Sequence, residues 1–191
     1  VTVSEGDLWI FGYGSLMWDP GFAFEAAQPA LLTGYHRSLC VLSIRNRGTA
    51  DRPGLALGLA RGGACRGMAF RVAADSVPAA RAYLWQREMA TDAYAPRLLS
   101  VRLLGEGGGR RVPALVFVSR SDHPQYCGDL LPEDAARLVA QGKGLFGTAL
   151  DYLRETVRHL NACGVRDGPL HRILALAEQL AREEAQRAAT G

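Results

Sequence analysis

Two places in the chain combine residue types that can do chemistry. The first is Gly12-Tyr13-Gly14-Ser15-Leu16, placed where an apolar run ends. Its two glycines let the backbone turn tightly and leave successive N–H groups outside any sheet, a nest suited to an anion or a developing oxyanion. A plain glycine turn fits the same residues. A dinucleotide fingerprint does not, because Met17 stands where G-x-G-x-x-G needs its third glycine. Ser15 is also not inside the G-x-S-x-G of a serine-hydrolase elbow.

The second place is Glu88. A helix over Asp75–Met89, with Asp75 as its N-cap, projects Val77, Arg81, Leu84, Trp85 and Glu88 onto one side at about 100° per residue. A carboxylate on that apolar face, in the last turn where the helix dipole is negative, has its pKa pushed up, with Arg81 or Arg87 opposing the shift. Such a group suits proton transfer near neutral pH. A surface glutamate in an Arg–Glu pair at a frayed helix end is the alternative. Arg37, Arg45 and Arg47 lie close together in the sequence and can hold a substrate carboxylate or form a solvated basic face. His36, His123, His159 and His171 form no ligand spacing, so a metal site is not expected.

The elements that must position these groups follow from the apolar pattern. Leu8–Tyr13 reads as a buried strand, and strand-like runs recur at Ala30–Ser43, Leu55–Ala60, Gly67–Val72, Pro96–Leu104 and Val112–Ser119. Gly62-Gly63 reads as a turn, and Gly105–Gly109 as a hairpin tip. Helical spacing covers Pro132–Gln141, Thr148–Cys163 and Pro169–Arg187, with Leu150, Leu153, Val157 and Leu160 forming a core-facing stripe. Strands followed by a helical C-terminal third, with one helix inserted among them, make an α+β pattern: a curved sheet or small barrel with helices outside it.

Composition narrows the function classes. The chain has 191 residues, 48% hydrophobic and 21% charged, which fits one globular domain over residues 1–191 and excludes disorder or a small disulfide scaffold. The charge of +3, from 22 Lys+Arg against 19 Asp+Glu, is too small and scattered for a nucleic-acid binder. Lys143 is the only lysine, so the cations are almost all arginines able to grip carboxylates with two bonds. Cys40, Cys65, Cys127 and Cys163 show no C-x-x-C and read as reduced, partly buried thiols. No apolar run approaches the roughly 18 residues of a membrane span, and no basic secretory start is visible, so a cytoplasmic protein with no membrane partner is expected.

The segments Phe11-Gly12-Tyr13-Gly14-Ser15-Leu16-Met17-Trp18, Gly34-Tyr35-His36-Arg37-Ser38-Leu39-Cys40, Arg47-Gly48-Thr49 with Pro53-Gly54, Arg87-Glu88 followed by Tyr94, and His123-Pro124-Gln125-Tyr126 closely resemble the ChaC family of glutathione-specific γ-glutamylcyclotransferases. The resemblance runs from about residue 9 to the C-terminal helices. It implies a small closed or nearly closed mixed β-barrel with surrounding helices. It also implies cleavage of glutathione to 5-oxoproline and cysteinylglycine without metal or organic cofactor. Carried over by position, it makes Glu88 the catalytic residue and Tyr13, Gly14, Ser15 and Leu16 the substrate-binding turn. Arg47 is the first choice to pair with the glycyl carboxylate, and Tyr126 to donate a hydroxyl hydrogen bond. The turn's N–H groups bind either the carbonyl oxyanion or the γ-glutamyl α-carboxylate. Two alternatives remain: a cyclotransferase for other γ-glutamyl amino acids or amines, and a non-catalytic regulator of cation transport.

Overall fold

In a computed structural model that describes residues 6–89, 91–105 and 109–190, five strands close into a barrel in the order β1-β3-β2-β4-β5. Strand β1 (Leu8–Gly12) runs antiparallel to β3 (Gly54–Val72), with Leu8 opposite Val72 and Gly12 opposite Met68. It also runs parallel to β5 (Arg111–Ser119), with Trp9 opposite Ala114, and this pairing shuts the barrel. Strand β2 (Ala26–Ser43) pairs antiparallel with β4 (Tyr94–Leu103), which forms a long hairpin with β5.

Residues on a strand alternate between faces, and both faces of β1 are buried. Phe11 joins Leu32, Leu59, Val101, Val116 and Val118 in one cluster, while Leu8 and Ile10 join Val72, Ala80, Leu84 and Phe117 in another. The second cluster seats α1 (Val77–Glu88) against the strands through Ala80 and Leu84. A strand covered on both sides is why Leu8–Gly12 reads as one apolar run with little alternation.

Contacts divide the chain into two compact units. One comprises residues 1–37 and 59–123, and so holds β1, α1, β4, β5 and parts of β2 and β3. The other comprises residues 38–58 and 124–191. Within that unit α2 (Pro132–Gln141), α3 (Ala149–Ala162) and α4 (Gly168–Thr190) pack pairwise. The two-residue strands β6 (Lys143–Gly144) and β7 (Gly147–Thr148) form a small hairpin there. The expected stripe of Leu150, Leu153, Val157 and Leu160 is buried, and the Thr148 hydroxyl caps α3 by accepting from the Asp151 N–H at 3.0 Å.

Several expectations are corrected. Gly62-Gly63 does not separate two strands, because β3 runs through both. They have φ of 98° and 66°, so the strand kinks where only glycine fits easily, and the Gly62 carbonyl lies 3.1 Å from His36 Nδ1. Asp75 is not the N-cap of α1; it sits in a short 3₁₀ turn over Ala74–Ser76, and Ser76 precedes the helix. Pro78, in the first helical turn, needs no N–H partner there. Trp85 does not share the buried face: it is 52% exposed. Cys163 is exposed, whereas Cys40 and Cys65 are buried, and none of the four cysteines is in a disulfide. Of the Gly105–Gly109 tip, Glu106, Gly107 and Gly108 lie outside the described residues. No helix among the described residues is long and apolar enough to cross a membrane.

Candidate active site

The backbone leaves β1 at Gly12 and doubles back at once. A Cβ at Gly12 would lie 3.0 Å from Leu16 Cβ and 3.1 Å from the Leu16 carbonyl carbon, so the chain turns this tightly because residue 12 has no side chain. A one-turn 3₁₀ helix follows at Ser15–Met17, closed by Met17 N–H to the Gly14 carbonyl at 2.9 Å and Asp19 N–H to the Ser15 carbonyl at 2.8 Å. A helix start leaves its first N–H groups without intrahelical acceptors, and here those belong to Gly14, Ser15 and Leu16.

Three contacts hold the turn in place. Leu16 is buried in the cluster that contains Ala80 and Leu84 of α1. From the other side the buried Arg37 of β2 donates from Nε to the Tyr13 carbonyl at 2.6 Å and from Nη2 to the Arg66 carbonyl at 2.5 Å. Arg87, near the end of α1, donates from Nη2 to Ser15 Oγ at 2.8 Å. Its Nη1 reaches the Tyr83 hydroxyl and the Asp19 carbonyl, both at 2.8 Å. Gly21, with φ of 71°, passes so close to the Tyr83 hydroxyl that a Cβ there would collide with it.

Glu88 is the last residue of α1, on the line of Ala80 and Leu84 at four-residue steps. Its side chain is 18% exposed and Oε1 lies 3.6 Å from Arg87 Nε. Burial pushes its carboxyl above the usual carboxylate range, and the Arg87 guanidinium pulls the other way. The unpaired carbonyls at the helix end also disfavour a negative charge at this position. The result is a desolvated carboxyl that holds its proton more tightly than a surface glutamate, joined through one guanidinium to a turn that presents N–H groups.

Tyr13, Gly14, Ser15, Leu16 and Glu88 therefore share one unit. Arg47 and Tyr126 belong to the other unit. There the Arg47 Nη1 donates to the Phe146 carbonyl, and its guanidinium lies 5.1 Å from the centre of the Tyr152 ring. Tyr126 sits opposite Val41 in an antiparallel bridge. Its hydroxyl is pushed up by burial first, then by Cys40, Asp129 and Cys127. Of the three neighbouring arginines, Arg45 is exposed, Arg47 is half-buried, and Arg37 is an internal brace for the turn. Strand parity carries the signal for Arg37, which has the same inward phase as Leu39 and Val41. The Arg87–Ser15 bond has no such signal, since the two residues are far apart in sequence. Among the described residues no group of three His, Cys, Asp or Glu is placed to hold a metal ion.

A closed five-stranded mixed barrel with a glycine turn after its first strand and a half-buried glutamate at the end of a packed helix defines the class of this protein. The family model described as ChaC-like protein matches residues 8–180, and the chain belongs to that family. The chain is 37% identical over 179 residues to the glutathione-specific γ-glutamylcyclotransferase of Escherichia coli strain K12, covering 94% of this chain and 76% of that one. It is 30% identical over 166 residues to glutathione-specific γ-glutamylcyclotransferase 1 of Homo sapiens, covering 84% and 74%. A crystal structure of a glutathione-specific γ-glutamyl cyclotransferase from yeast has the same fold, with a TM-score of 0.82 at 19% identity over 91% of this chain and 96% of that chain.

Proposed function

We propose that this chain is a γ-glutamylcyclotransferase that cleaves glutathione to 5-oxoproline and cysteinylglycine, with Glu88 as general base and acid. The observation that carries the reading is the Glu88 carboxylate itself: half-buried at the end of α1, raised in pKa and bridged by Arg87 to the turn at Ser15. Family membership supports it, as do the names of the relatives.

The reaction asks little of a protein because the substrate supplies its own nucleophile. The α-amine of the γ-glutamyl group reaches the side-chain carbonyl and closes a five-membered ring, so proximity is built into the molecule. Glu88 takes a proton from the attacking nitrogen. The new C–N bond forms, an oxyanion develops on the carbonyl, and the amide C–N bond to cysteine breaks as Glu88 returns the proton to the departing nitrogen. A carboxyl raised by burial performs both transfers better than an ordinary surface glutamate, whose conjugate acid is too strong to be an effective base near neutral pH. The N–H groups of Gly14, Ser15 and Leu16, with Tyr13 leading into them, serve the oxyanion or the γ-glutamyl α-carboxylate. In this reading Arg47 takes the glycyl carboxylate and Tyr126 donates a hydroxyl hydrogen bond. No cofactor enters any step.

Incubation of the purified chain with reduced glutathione, followed by detection of 5-oxoproline and cysteinylglycine in equal amounts, tests the reading. Absence of both from a folded sample overturns it. Equal kcat/KM for glutathione and for γ-glutamyl dipeptides that lack glycine overturns the glutathione specificity and leaves a broader cyclotransferase.

A further inference from the structure

Cys40 and Cys127 face each other across a strand pairing, and neither thiol takes part in the chemistry above. Leu42 N–H donates to the Gln125 carbonyl at 2.7 Å and Cys127 N–H donates to the Cys40 carbonyl at 2.9 Å. These two bonds flank the antiparallel bridge between Val41 and Tyr126. In that register Cys40 is the residue directly opposite Cys127, and directly opposite residues project to the same face of the ladder.

We infer that Cys40 and Cys127 form a redox-modification site, a dithiol that closes to a reversible disulfide by exchange with low-molecular-weight disulfides. Opposite residues sharing a ladder hydrogen bond have Cα atoms about 5.5 Å apart, inside the roughly 4.4–6.8 Å range of disulfides. Their Cβ atoms are about 4.5–5.5 Å apart, whereas a relaxed disulfide has them at roughly 3.5–4.5 Å. The bond forms by drawing the strands together slightly, and the strain makes it easier to reduce than a structural disulfide.

Accessibility orders the steps. Cys127 is half-buried and Cys40 is fully buried, so Cys127 meets the small molecule first. The Cys127 thiolate attacks one sulfur of the disulfide and expels the other half as a thiolate. The Cys40 thiolate then attacks the Cys127 sulfur and expels the second half. Two protein thiols are oxidised, one small disulfide is reduced to two thiols, and the two thiol protons pass to the leaving thiolates. Burial keeps the Cys127 thiol mostly protonated, so the first exchange is slow. The site stands whether or not the chain cleaves glutathione.

The test uses the full chain carrying Cys163→Ser, which removes the exposed thiol, and oxidised glutathione as the probe. After native incubation and tryptic cleavage, the peptides Ser38–Arg45 and Ser121–Arg137 are expected as one cross-linked species. The intact protein loses about 2 Da, the two hydrogens of the thiols, and excess reduced glutathione restores both mass and peptides. In a folded Cys127→Ser variant, Cys40 remains unmodified. A mixed disulfide that persists on Cys127, or recovery of both cysteines as free thiols, overturns the inference. So does a cross-link that excess reduced glutathione does not open. The readout is independent of 5-oxoproline formation, so loss of this inference leaves the catalytic one standing, and the reverse.

Discussion

The Nη2 group of Arg87 donates to the hydroxyl of Ser15 at 2.8 Å, tying the end of α1 to the turn that follows β1. The residue next to Arg87 is Glu88, and the same guanidinium lies 3.6 Å from its carboxylate. One side chain thus aligns the proposed base with the proposed cradle and tunes the base's charge. The two effects separate by mutation.

Arg87→Gln removes the positive charge that opposes the desolvation of Glu88. The carboxyl then rises further, and because a base must be deprotonated to act, the acid limb of the kcat/KM profile moves to higher pH. Ser15→Ala keeps that charge and removes only a hydrogen bond to a charged donor, an interaction on the order of 1.5–3 kcal/mol. Its profile keeps the limb in place while kcat/KM falls by about tenfold. Measuring 5-oxoproline formation across the acid limb of the profile compares them.

Glu88→Gln preserves size and hydrogen bonding but accepts no proton. Loss of at least ~10²-fold in kcat is the expected scale for a positioned base, with binding of glutathione still measurable by calorimetry. Stability supplies an independent check. The carboxyl of Glu88 is raised in the folded state, so its contribution is fully present below its unfolded pKa and is lost as pH rises through the folded value. The variant should therefore be at least as stable as the parent at neutral pH, the advantage shrinking in acid. Normal turnover in the folded variant would remove Glu88 from the mechanism.

Most elements were legible because burial imposes simple patterns on apolar residues. Leu8–Gly12, Val112–Ser119 and the helix Pro132–Gln141 show this, since their cores are continuous runs or clean helical stripes. Where backbone geometry decided, the reading failed. Gly62-Gly63 looks like a turn in one dimension, yet two positive φ angles bend a strand without ending it. Trp85 has the helical phase expected for burial, but it sits about 100° round the helix from Leu84, off the line of Ala80, Leu84 and Glu88 that packs. At the site, residue types exposed the glycine turn and Glu88, but the bonds of Arg37 and Arg87 that join separate elements are products of the fold.

Arg37→Gln tests the brace beneath the turn. It deprives the Tyr13 and Arg66 carbonyls of a charged donor inside a buried region, a loss on the order of 1.5–3 kcal/mol per bond. Thermal unfolding should shift down by several degrees. KM for glutathione should rise more than kcat falls, since the proposed mechanism has the turn hold substrate and leaves the proton transfer to Glu88. An unchanged KM in a destabilised variant would assign Arg37 to stability alone.

Arg47→Ala probes the far end of the substrate. If Arg47 takes the glycyl carboxylate, KM for glutathione rises about tenfold or more, the scale of a lost charge-assisted bond, while γ-glutamyl dipeptides lacking glycine are turned over as before. Equal losses on both substrates would assign Arg47 to its contacts with Phe146 and Tyr152.

Chelation is a further check. Turnover should persist in EDTA, because in the proposed mechanism the nucleophile is the substrate's own amine and the proton carrier is Glu88. Activity abolished by EDTA and restored by a divalent ion would show that a metal ion participates.

The parallel pairing of Trp9 with Ala114 gives the protein an order of assembly. During synthesis β1 leaves the ribosome long before β5 exists, and the segment between them, including α1, must emerge before the ring can shut. A closing contact so distant along the chain makes barrel completion a late and comparatively slow event. The turn at Tyr13–Met17 is attached directly to β1, so its final shape belongs to that same late stage. Nascent chains stalled before Arg111 should retain β1 in a protease-sensitive state, whereas chains released after Ser119 should protect it.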